Sequence, residues 1–328
     1  MVLLGAIPDT PEAASYVGYA DLDAYYDALG VDLPPAGALN DEFDEWLGQL
    51  VEAERGDVAP LLALPEFARD ALRDTGAFQA EIGLDPAHIR QAIEAGEPPE
   101  MYTVLRGDFD SGDIGDAVEN DENFADLLET ESHSEVSYYA WGEDFEQDFA
   151  RNSSVHSLGR GGRLALHGDL LLWCFWTDGM TGMIDATIDA GDSLADRQDF
   201  AALASAIETL PVYWASLTTE TTETASSPVP LLAPFESYAI AGGTDDDGPL
   251  LVIALANADE ATATDNAERI VSRFQAAAED GDSYRWAEGV ETVEALVIGT
   301  VTLAVLRGRS LPWNFILIGP EALQHERA

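Results

Sequence analysis

The stretch Leu164–Trp176, with the sequence LALHGDLLLWCFW, constrains the fold of this chain more than any other segment. It is interrupted at its centre by His167-Gly168-Asp169 and is shorter than the roughly 20 apolar residues that a membrane helix needs. The glycine predicts a tight turn between two strands. On the outgoing strand, Trp173 and Cys174 point to opposite faces, and their neighbours on each face are apolar. We therefore predict a hairpin whose second strand is central in a sheet and covered on both sides.

Cys174, the single cysteine of the chain, lies inside this predicted strand. No basic residue stands beside it in sequence to lower the pKa of its thiol, so we predict an inert, buried side chain. A single cysteine also excludes an internal disulfide and a cysteine-rich metal site.

The hairpin has a counterpart near the C-terminus. Leu166-His167-Gly168 with Leu171, Trp173 and Phe175 has the same spacing as Leu306-Arg307-Gly308 with Leu311, Trp313 and Phe315. Upstream, Tyr139-Ala140-Trp141 matches Tyr284-Arg285-Trp286, and each half has a strand that ends in aspartate and leads into a helix. Matches in the same order predict a duplication or two copies of one packing solution.

These patterns predict an α+β fold of two related modules, each a mostly antiparallel sheet with helices on one face in the order β-α-β-β-β. Residues 1–215 are the predicted first module, with a helical insertion at about 40–98 in which PEFARDALRDTG and DPAHIRQAIEAG have helix starts and glycine stops. Residues 216–234, rich in Thr, Ser and Pro, are the predicted linker or exposed loop. Residues 235–328 are the predicted second module.

The net charge of the chain indicates the salt concentration to which the protein is adapted. There are 62 Asp and Glu against 15 basic residues, none of them lysine, for a formal net charge of −47. Such a charge destabilises a compact state through self-repulsion, which molar salt screens because the Debye length falls to about 3 Å at 1 M. The acids are interspersed with apolar residues, which favours a halophilic, salt-adapted protein over one with an acidic tail.

The same charge excludes several function classes. Nucleic acid binding needs a basic stripe, which the sequence lacks, and an anionic membrane surface would repel the chain. Without lysine there is no Schiff base and no P-loop. No stretch is long and apolar enough to be a transmembrane segment.

One segment is locally basic and is a candidate anion site. RNSSVHSLGRGGR brings Arg151, Arg160 and Arg163 close together in sequence, and its glycines could form a backbone nest. The alternative is that these arginines pair with nearby carboxylates across a turn.

Two acidic segments are candidate calcium-like sites. Asp108, Asp110, Asp116 and Glu119 have the spacing of ligands in an EF-hand loop, but Gly112 and Asp113 stand where that loop needs a ligand and then a glycine. The alternative is that Asp110 caps a helix. Asp245, Asp246 and Asp247 form the tip of a predicted hairpin and could hold a cation or be solvated. Apart from such non-specific cations, no cofactor is expected.

Other catalytic patterns are missing from the sequence. The chain has 5 histidines, none at a metal-ligand spacing, and we predict surface or turn positions for them: His88, His133, His156, His167 and His325. There is no GxSxG nucleophile elbow. Among 62 acidic residues, the sequence cannot single out a pair for acid–base chemistry.

We therefore expect a non-enzymatic binding or interaction protein whose ligand, protein or small molecule, and oligomeric state the sequence leaves open. The alternatives are a hydrolase whose carboxylates converge in three dimensions and a cation-stabilised structural protein. The start MVLLGAIPDTPEAA has no basic region and only a short apolar run, so it is not a signal peptide. We expect an extracytoplasmic protein whose leader is not in this sequence, with a cytoplasmic location as the alternative.

The charge argument makes a prediction about stability. The fold should loosen or melt at about 0.1 M salt, where screening is weak, and recover in molar KCl or NaCl. Circular dichroism melting curves at the two salt concentrations measure this, and equal melting temperatures would contradict salt adaptation.

Overall fold

Contacts divide the chain into two compact units, each with its own antiparallel strands and helices. The computed structural model describes residues 1–33, 37, 41–53, 59–61, 63–279, 284–308, 311 and 321–327. The N-terminal unit contains residues 2–53 and 64–194, and the C-terminal unit contains Met1 and residues 54–63 and 195–328. The prediction of an α+β fold is confirmed.

The N-terminal unit is a sheet with the strand order β1–β2–β3–β7–β6–β5–β4, in which the pairs are antiparallel. The strands are β1 (Val17–Asp21), β2 (Ile89–Glu97), β3 (Glu100–Gly107), β4 (Leu128–His133), β5 (Val136–Trp141), β6 (Gly162–His167) and β7 (Leu170–Cys174). The helices are α1 (Pro11–Ser15), α2 (Leu22–Leu29), α3 (Asp41–Ala53), α4 (Glu66–Arg73), α5 (Thr75–Ile82), α6 (Ser111–Asn120) and α7 (Thr177–Thr187).

Strand β7 has the central position predicted for it. It lies between β3 and β6, and its residues from Leu171 to Cys174 are buried. On one face, the ring of Phe67 in α4 lies 4.8 Å from that of Trp173. Tyr102 projects from the opposite face of the neighbouring β3 and lies 4.8 Å from Trp176, which immediately precedes α7. Helices thus cover both faces of this sheet, whereas the sequence predicted helices on one face only. Both faces are covered because both faces of β7 are apolar.

Cys174 is fully buried, which confirms its predicted position in the core. Burial raises the pKa of its thiol to about 12. The reactive thiolate is therefore essentially unpopulated at neutral pH in the folded protein.

The predicted helical insertion is only partly helical. Within 40–98, α3, α4 and α5 are helices, but the predicted helix DPAHIRQAIEAG is a 3₁₀ turn, Pro86–His88, followed by strand β2. Residues 92–96 are buried and pair with β1 on one side and β3 on the other. Sheet pairing therefore overrides the helix propensity of this Ala- and Glu-containing stretch.

The C-terminal unit has a sheet with the order β8–β10–β11–β13–β12 and a separate parallel pair, β9–β14. Its elements are α8 (Gln198–Ile207), β8 (Val212–Thr218), β9 (Glu223–Thr224), β10 (Ser237–Asp245), β11 (Gly248–Ala256), α9 (Glu260–Glu279), β12 (Thr292–Ile298), β13 (Val301–Arg307) and β14 (His325–Glu326). Within the described parts of both units, no helix combines the length and apolar character needed to cross a bilayer.

The segment predicted as a linker, 216–234, is held against α9 over its last residues. The side-chain amide of Asn266 accepts a hydrogen bond from the backbone of Ala233 at 2.7 Å and donates one back at 3.2 Å. Arg273 donates to the carbonyl of Pro230 at 2.6 Å. Because β8 also pairs with β10, the boundary between the units falls after Leu194 rather than near residue 215.

The predicted repeat is not reproduced at the positions that can be compared. Tyr139–Trp141 lies in β5, whereas Arg285–Ala287 is a 3₁₀ turn and not the predicted strand. The hairpin strand β6 is separated from β3 by β7, whereas β13 pairs directly with β11. Trp313 and Phe315 lie outside the described residues, so the duplication stays a prediction. In both units a hairpin is followed by a helix and then by further strands, of which β7 in the N-terminal unit and β13 in the C-terminal unit pairs with the second hairpin strand.

Arg273 is an anchor of the C-terminal unit, and its loss should be costly. Its side chain is 1% exposed and donates to the carbonyls of Ala322, Pro230 and Glu321 at 2.5, 2.6 and 2.9 Å. Arg273→Met would leave three carbonyls without a donor, each costing ~1–3 kcal/mol when buried, so we expect unfolding to become easier by about 3 kcal/mol or more.

Urea unfolding in molar KCl measures this change. Arg269→Met is the comparison, because its side chain is 29% exposed, pairs with Asp265 and Glu326 in contacts worth ~1 kcal/mol or less at a surface, and donates to one carbonyl, that of Leu231, instead of three. If Arg273→Met lowers the free energy of unfolding by no more than Arg269→Met does, the buried arginine is not an anchor.

Candidate functional site

A cavity of about 210 Å³ lies on one face of the N-terminal sheet. Glu94, Thr103 and Trp173 are register partners across β2, β3 and β7, so their side chains project from the same face and form its floor. Helices α4 and α5 and the loop 154–160 form its walls.

The walls are largely aromatic. The ring of Phe67 lies 4.8 Å from Trp173 and 5.1 Å from Phe78, and Trp173 lies 6.0 Å from Phe175. Rings at these separations offer flat apolar surfaces and quadrupoles that favour another ring or a cation.

Glu94 is the buried acid of the cavity, with 7% of its surface exposed. Its Oε2 accepts a hydrogen bond from the backbone N–H of Glu66 at 3.0 Å. Glu66 begins α4, and the preceding Pro65 has no side chain that can cap the helix, so Glu94 supplies the missing acceptor. Burial, with a contribution from the Glu66 carboxylate, raises the pKa of Glu94 to about 7. Near neutral pH this side chain can therefore both accept and donate a hydrogen bond.

Arg160 brings a cation to the same cavity. It follows Leu158 and Gly159, both in the left-handed region with φ of 64° and 65°. A Cβ on Gly159 would overlap the carbonyl oxygen of Asp148, so only glycine fits this turn. The guanidinium carbon lies 5.3 Å from the ring centre of Phe175, and Nε is buried without a hydrogen-bond partner.

A buried cluster around His156 holds the loop that carries Arg160. The indole N–H of Trp141 donates to His156 Nδ1 at 3.2 Å, so in the neutral ring the proton is on Nε2. His156 Nε2 lies 3.4 Å from Asp121 and 3.8 Å from Glu81. Ser153 in the same loop donates to Glu81 at 2.6 Å. Burial raises the pKa of the Glu81 carboxyl despite this hydrogen bond.

Glu81, Asp121 and His156 are also the one group among the described residues whose ligand atoms could surround a metal ion. Their hydrogen bonds oppose that use. A histidine ligand needs a free lone pair on the coordinating nitrogen, and Trp141 already occupies the lone pair of Nδ1 while Nε2 bears the proton. The cluster is better described as a buried histidine whose Nε2 faces two carboxylates.

His156 is 1% exposed, and His325 in the C-terminal unit is 2% exposed. The prediction of surface or turn histidines is therefore wrong for these two. His133 is half-buried and lies 2.7 Å from Asp185, and His167 is exposed at the β6–β7 turn.

The structure does not gather the three candidate arginines into one nest. Arg151 contacts both carboxylate oxygens of Asp126 at 2.6 and 3.0 Å. Arg163 is buried and donates to Asp144 at 2.6 Å and to the carbonyl of Trp141 at 3.2 Å. Arg151 and Arg163 pair with nearby carboxylates, which is the alternative raised above. Arg160 differs, because its side chain has no carboxylate or hydrogen-bond partner in the described chain and lies over the ring of Phe175.

The first acidic segment forms a capped helix. Asp110 Oδ1 accepts from the backbone of Gly112 at 2.7 Å at the start of α6, which places Asp116 and Glu119 on an exposed helix surface. Asp108 lies 3.6 Å from Arg90. Residues 111–120 are helical, so these carboxylates do not curl around one point as EF-hand ligands do.

The second acidic segment is the predicted hairpin tip. Asp245 ends β10, and Asp246 and Asp247 form the turn before β11. Arg307 donates to Asp245 at 2.9 Å and lowers the pKa of that carboxyl. This segment is therefore partly neutralised by an arginine from β13.

Sequence reasoning missed Glu94, Phe67 and His156 as parts of a site. The stretch QAIEAG places Glu94 beside apolar residues, but acids are interspersed with apolar residues along most of this chain, so that position alone does not single it out. The helix predicted for this stretch gives no reason to place Glu94 on the face of a sheet, where the structure has it.

Comparisons with known proteins do not identify the chain. No protein-family model matches it, and no curated protein matches it. Solved structures similar to it include TP0453 in crystal form III, with 8% identity, 97% coverage of both chains and a TM-score of 0.42. Crystal form IV of TP0453 gives 7% identity, 97% and 96% coverage and a TM-score of 0.44. At these TM-scores the likeness supports no conclusion about fold or function.

The burial of Glu94 predicts a specific pH dependence. Its pKa is raised on folding, so its contribution to stability is complete below the unfolded value of 4.5 and is lost as the pH rises through about 7. Glu94→Gln keeps an oxygen for the Glu66 N–H but has no charge. The free energy of unfolding of this variant, relative to that of the wild type, should therefore increase by on the order of 2 kcal/mol between about pH 5 and pH 8.

Urea unfolding in molar KCl at the two pH values measures the difference. Glu97→Gln, at the exposed end of the same strand, is the control and should show no pH-dependent gain. A gain for Glu94→Gln that is the same at both pH values would refute a raised pKa for Glu94.

Proposed function

We propose that this chain is a non-enzymatic binding protein that takes a small ring-containing molecule into the cavity of its N-terminal unit. The observation that carries the proposal is an aromatic cavity lined by the buried carboxyl of Glu94 and by the half-buried Arg160, whose Nε is buried without a partner. Apolar pockets with a few convergent polar groups are the usual form of small-molecule sites. An apolar cavity of about 150 Å³ holds benzene, so the 210 Å³ here fit one ring with a small polar substituent.

The groups around the cavity favour binding over catalysis. The hydroxyl of Ser154 donates to Asp74, and that of Ser153 donates to Glu81. His156 has both ring nitrogens engaged with Trp141 and the carboxylates of its cluster. Among the described residues, the cavity therefore has no serine paired with a histidine that could act as its base.

A hydrolase is the second candidate, and one observation favours it. Glu66, Asp70 and Glu94 all line the cavity, so carboxylates do converge there. The pKa of Glu94, about 7, suits a general acid. Against this, one oxygen of Glu94 caps α4, which fixes the carboxyl in a structural role.

Adaptation to high salt and a location outside the cytoplasm stay predictions. The charge of −47 and the absence of lysine support the first. The second has less support than the sequence suggested, because the end of the Thr- and Ser-rich segment is anchored to α9.

Neutral ring compounds test the cavity without regard to charge. In molar KCl, millimolar benzyl alcohol or toluene should raise the melting temperature of the wild type by binding the folded state. Thr103→Phe places a ring in the cavity floor and should abolish that rise. Thr130→Phe, on an exposed part of β4, is the matched control and should behave as wild type.

Two results would contradict the proposal. One is the absence of any stabilisation of the wild type, and the other is equal stabilisation of Thr103→Phe. Turnover of chromogenic esters, glycosides or phosphate esters that disappears in Glu94→Gln but persists in Glu97→Gln would instead establish the hydrolase.

A further inference from the structure

Arg160 stands apart from the other described arginines. Most of them lie within 4.0 Å of a carboxylate oxygen, and Arg273 is bonded to three carbonyls. Arg160 has neither kind of partner within the described chain, and its Nε is buried. Arg327 also has no such partner there but is exposed near the C-terminus, where water can solvate it. Arg160 is half-buried as a residue, but its Nε is shielded from water and has no acceptor in the described chain, so a ligand in the cavity could supply one.

We propose that the ligand of the cavity is a small carboxylate that carries one ring, with its carboxylate on Arg160 and its ring against Phe67 and Trp173. This inference rests on the proposed binding function. It adds the chemical class of the ligand and the residue that selects it.

The guanidinium of Arg160 explains why the proposed ligand carries a carboxylate. A buried N–H without an acceptor is unfavourable by ~1–3 kcal/mol, and more when the group is charged. The planar donor fork of arginine matches the two oxygens of a carboxylate, which gives short, charge-assisted hydrogen bonds. Phe175 holds the guanidinium from one side, with its ring centre 5.3 Å from the guanidinium carbon, and so limits where the fork can point.

The acids of the cavity do not favour a cation instead. Glu66 lies 3.6 Å from Arg69, and Asp70 lies 3.8 Å from Arg69 and 4.0 Å from Arg73. These two carboxylates thus have cations on their own helix. Burial raises the pKa of Glu94 to about 7, and in its protonated form the carboxyl can donate a hydrogen bond to a bound oxygen. The positive charge that lacks a counter-ion in this cavity is that of Arg160.

The aromatic lining of the cavity explains why the proposed ligand carries a ring. Phe67 and Trp173 lie 4.8 Å apart with 33° between their planes, and Phe78 closes the cavity beside Phe67. A ring entering here gains offset contacts with aromatic neighbours that an open alkyl chain of the same size would not make. The volume of 210 Å³ is of the size that one ring with a small substituent fills.

Matched ring compounds test the inference. Phenylacetate, benzyl alcohol and benzylamine carry similar rings with a negative, neutral and positive substituent. At one fixed KCl concentration, titration calorimetry or ligand-observed NMR should give phenylacetate an affinity about tenfold or more above the other two. Arg160→Gln should remove that preference and leave the affinity for benzyl alcohol unchanged. Arg160→Lys should retain part of it, because the charge remains without the fork.

The control variant is Arg106→Gln, which removes a partly exposed arginine paired with Asp169 at 2.7 Å and leaves the cavity intact. It should keep the preference for phenylacetate. A preference for benzylamine, equal affinities for all three compounds, or a phenylacetate preference that survives in Arg160→Gln would overturn the ligand class while leaving the cavity as a binding site. If benzyl alcohol and phenylacetate both fail to bind, the proposed function fails as well.

Discussion

Strand β7 has apolar side chains on both faces, so the sheet of the N-terminal unit must be covered by another layer on each side. Trp176 and α7 cover the face that carries Tyr102. On the other face, α4 and α5 lie over Trp173 through Phe67 and Phe78, but they do not fill the space above the floor. The cavity is the gap left where two helices and a loop, rather than one continuous layer, cover the sheet.

Few cations are present to balance the acids, so the contacts of each arginine are informative. Arg151, Arg163 and Arg307 join segments that are distant in sequence, through Asp126, Asp144 and Asp245. Buried Arg273 uses carbonyls instead, although the chain is rich in carboxylates. Local geometry, and not the charge balance of the chain, therefore sets each arginine's partner. The same reasoning gives weight to Arg160, for whose side chain the described residues supply no carboxylate and no hydrogen-bond acceptor.

Those features of the fold that depend on local pattern could be predicted from the sequence. The β6–β7 hairpin, the buried Cys174 and the tip Asp245–Asp247 follow from alternation, turn residues and apolar runs. The strand β2 and the anchoring of residues near Ala233 could not, because they depend on partners distant in the chain, such as β1 and Asn266. The site was harder still. Arg160 was a candidate because arginines cluster around it in sequence, yet what distinguishes it is a missing contact, and sequence cannot show an unmade hydrogen bond.

Glu94 completes the first turn of α4 because Pro65 has no side chain that can do so. That role exists whether or not anything occupies the cavity. Selection for stability alone would therefore tend to keep a hydrogen-bonding group at position 94, and with it a polar group in an otherwise aromatic space. Ligand preference could then change through substitutions around it, at Arg160 or among the rings, without the helix start being lost. A cavity whose polar group is maintained by folding is a favourable starting point for the evolution of new binding specificities.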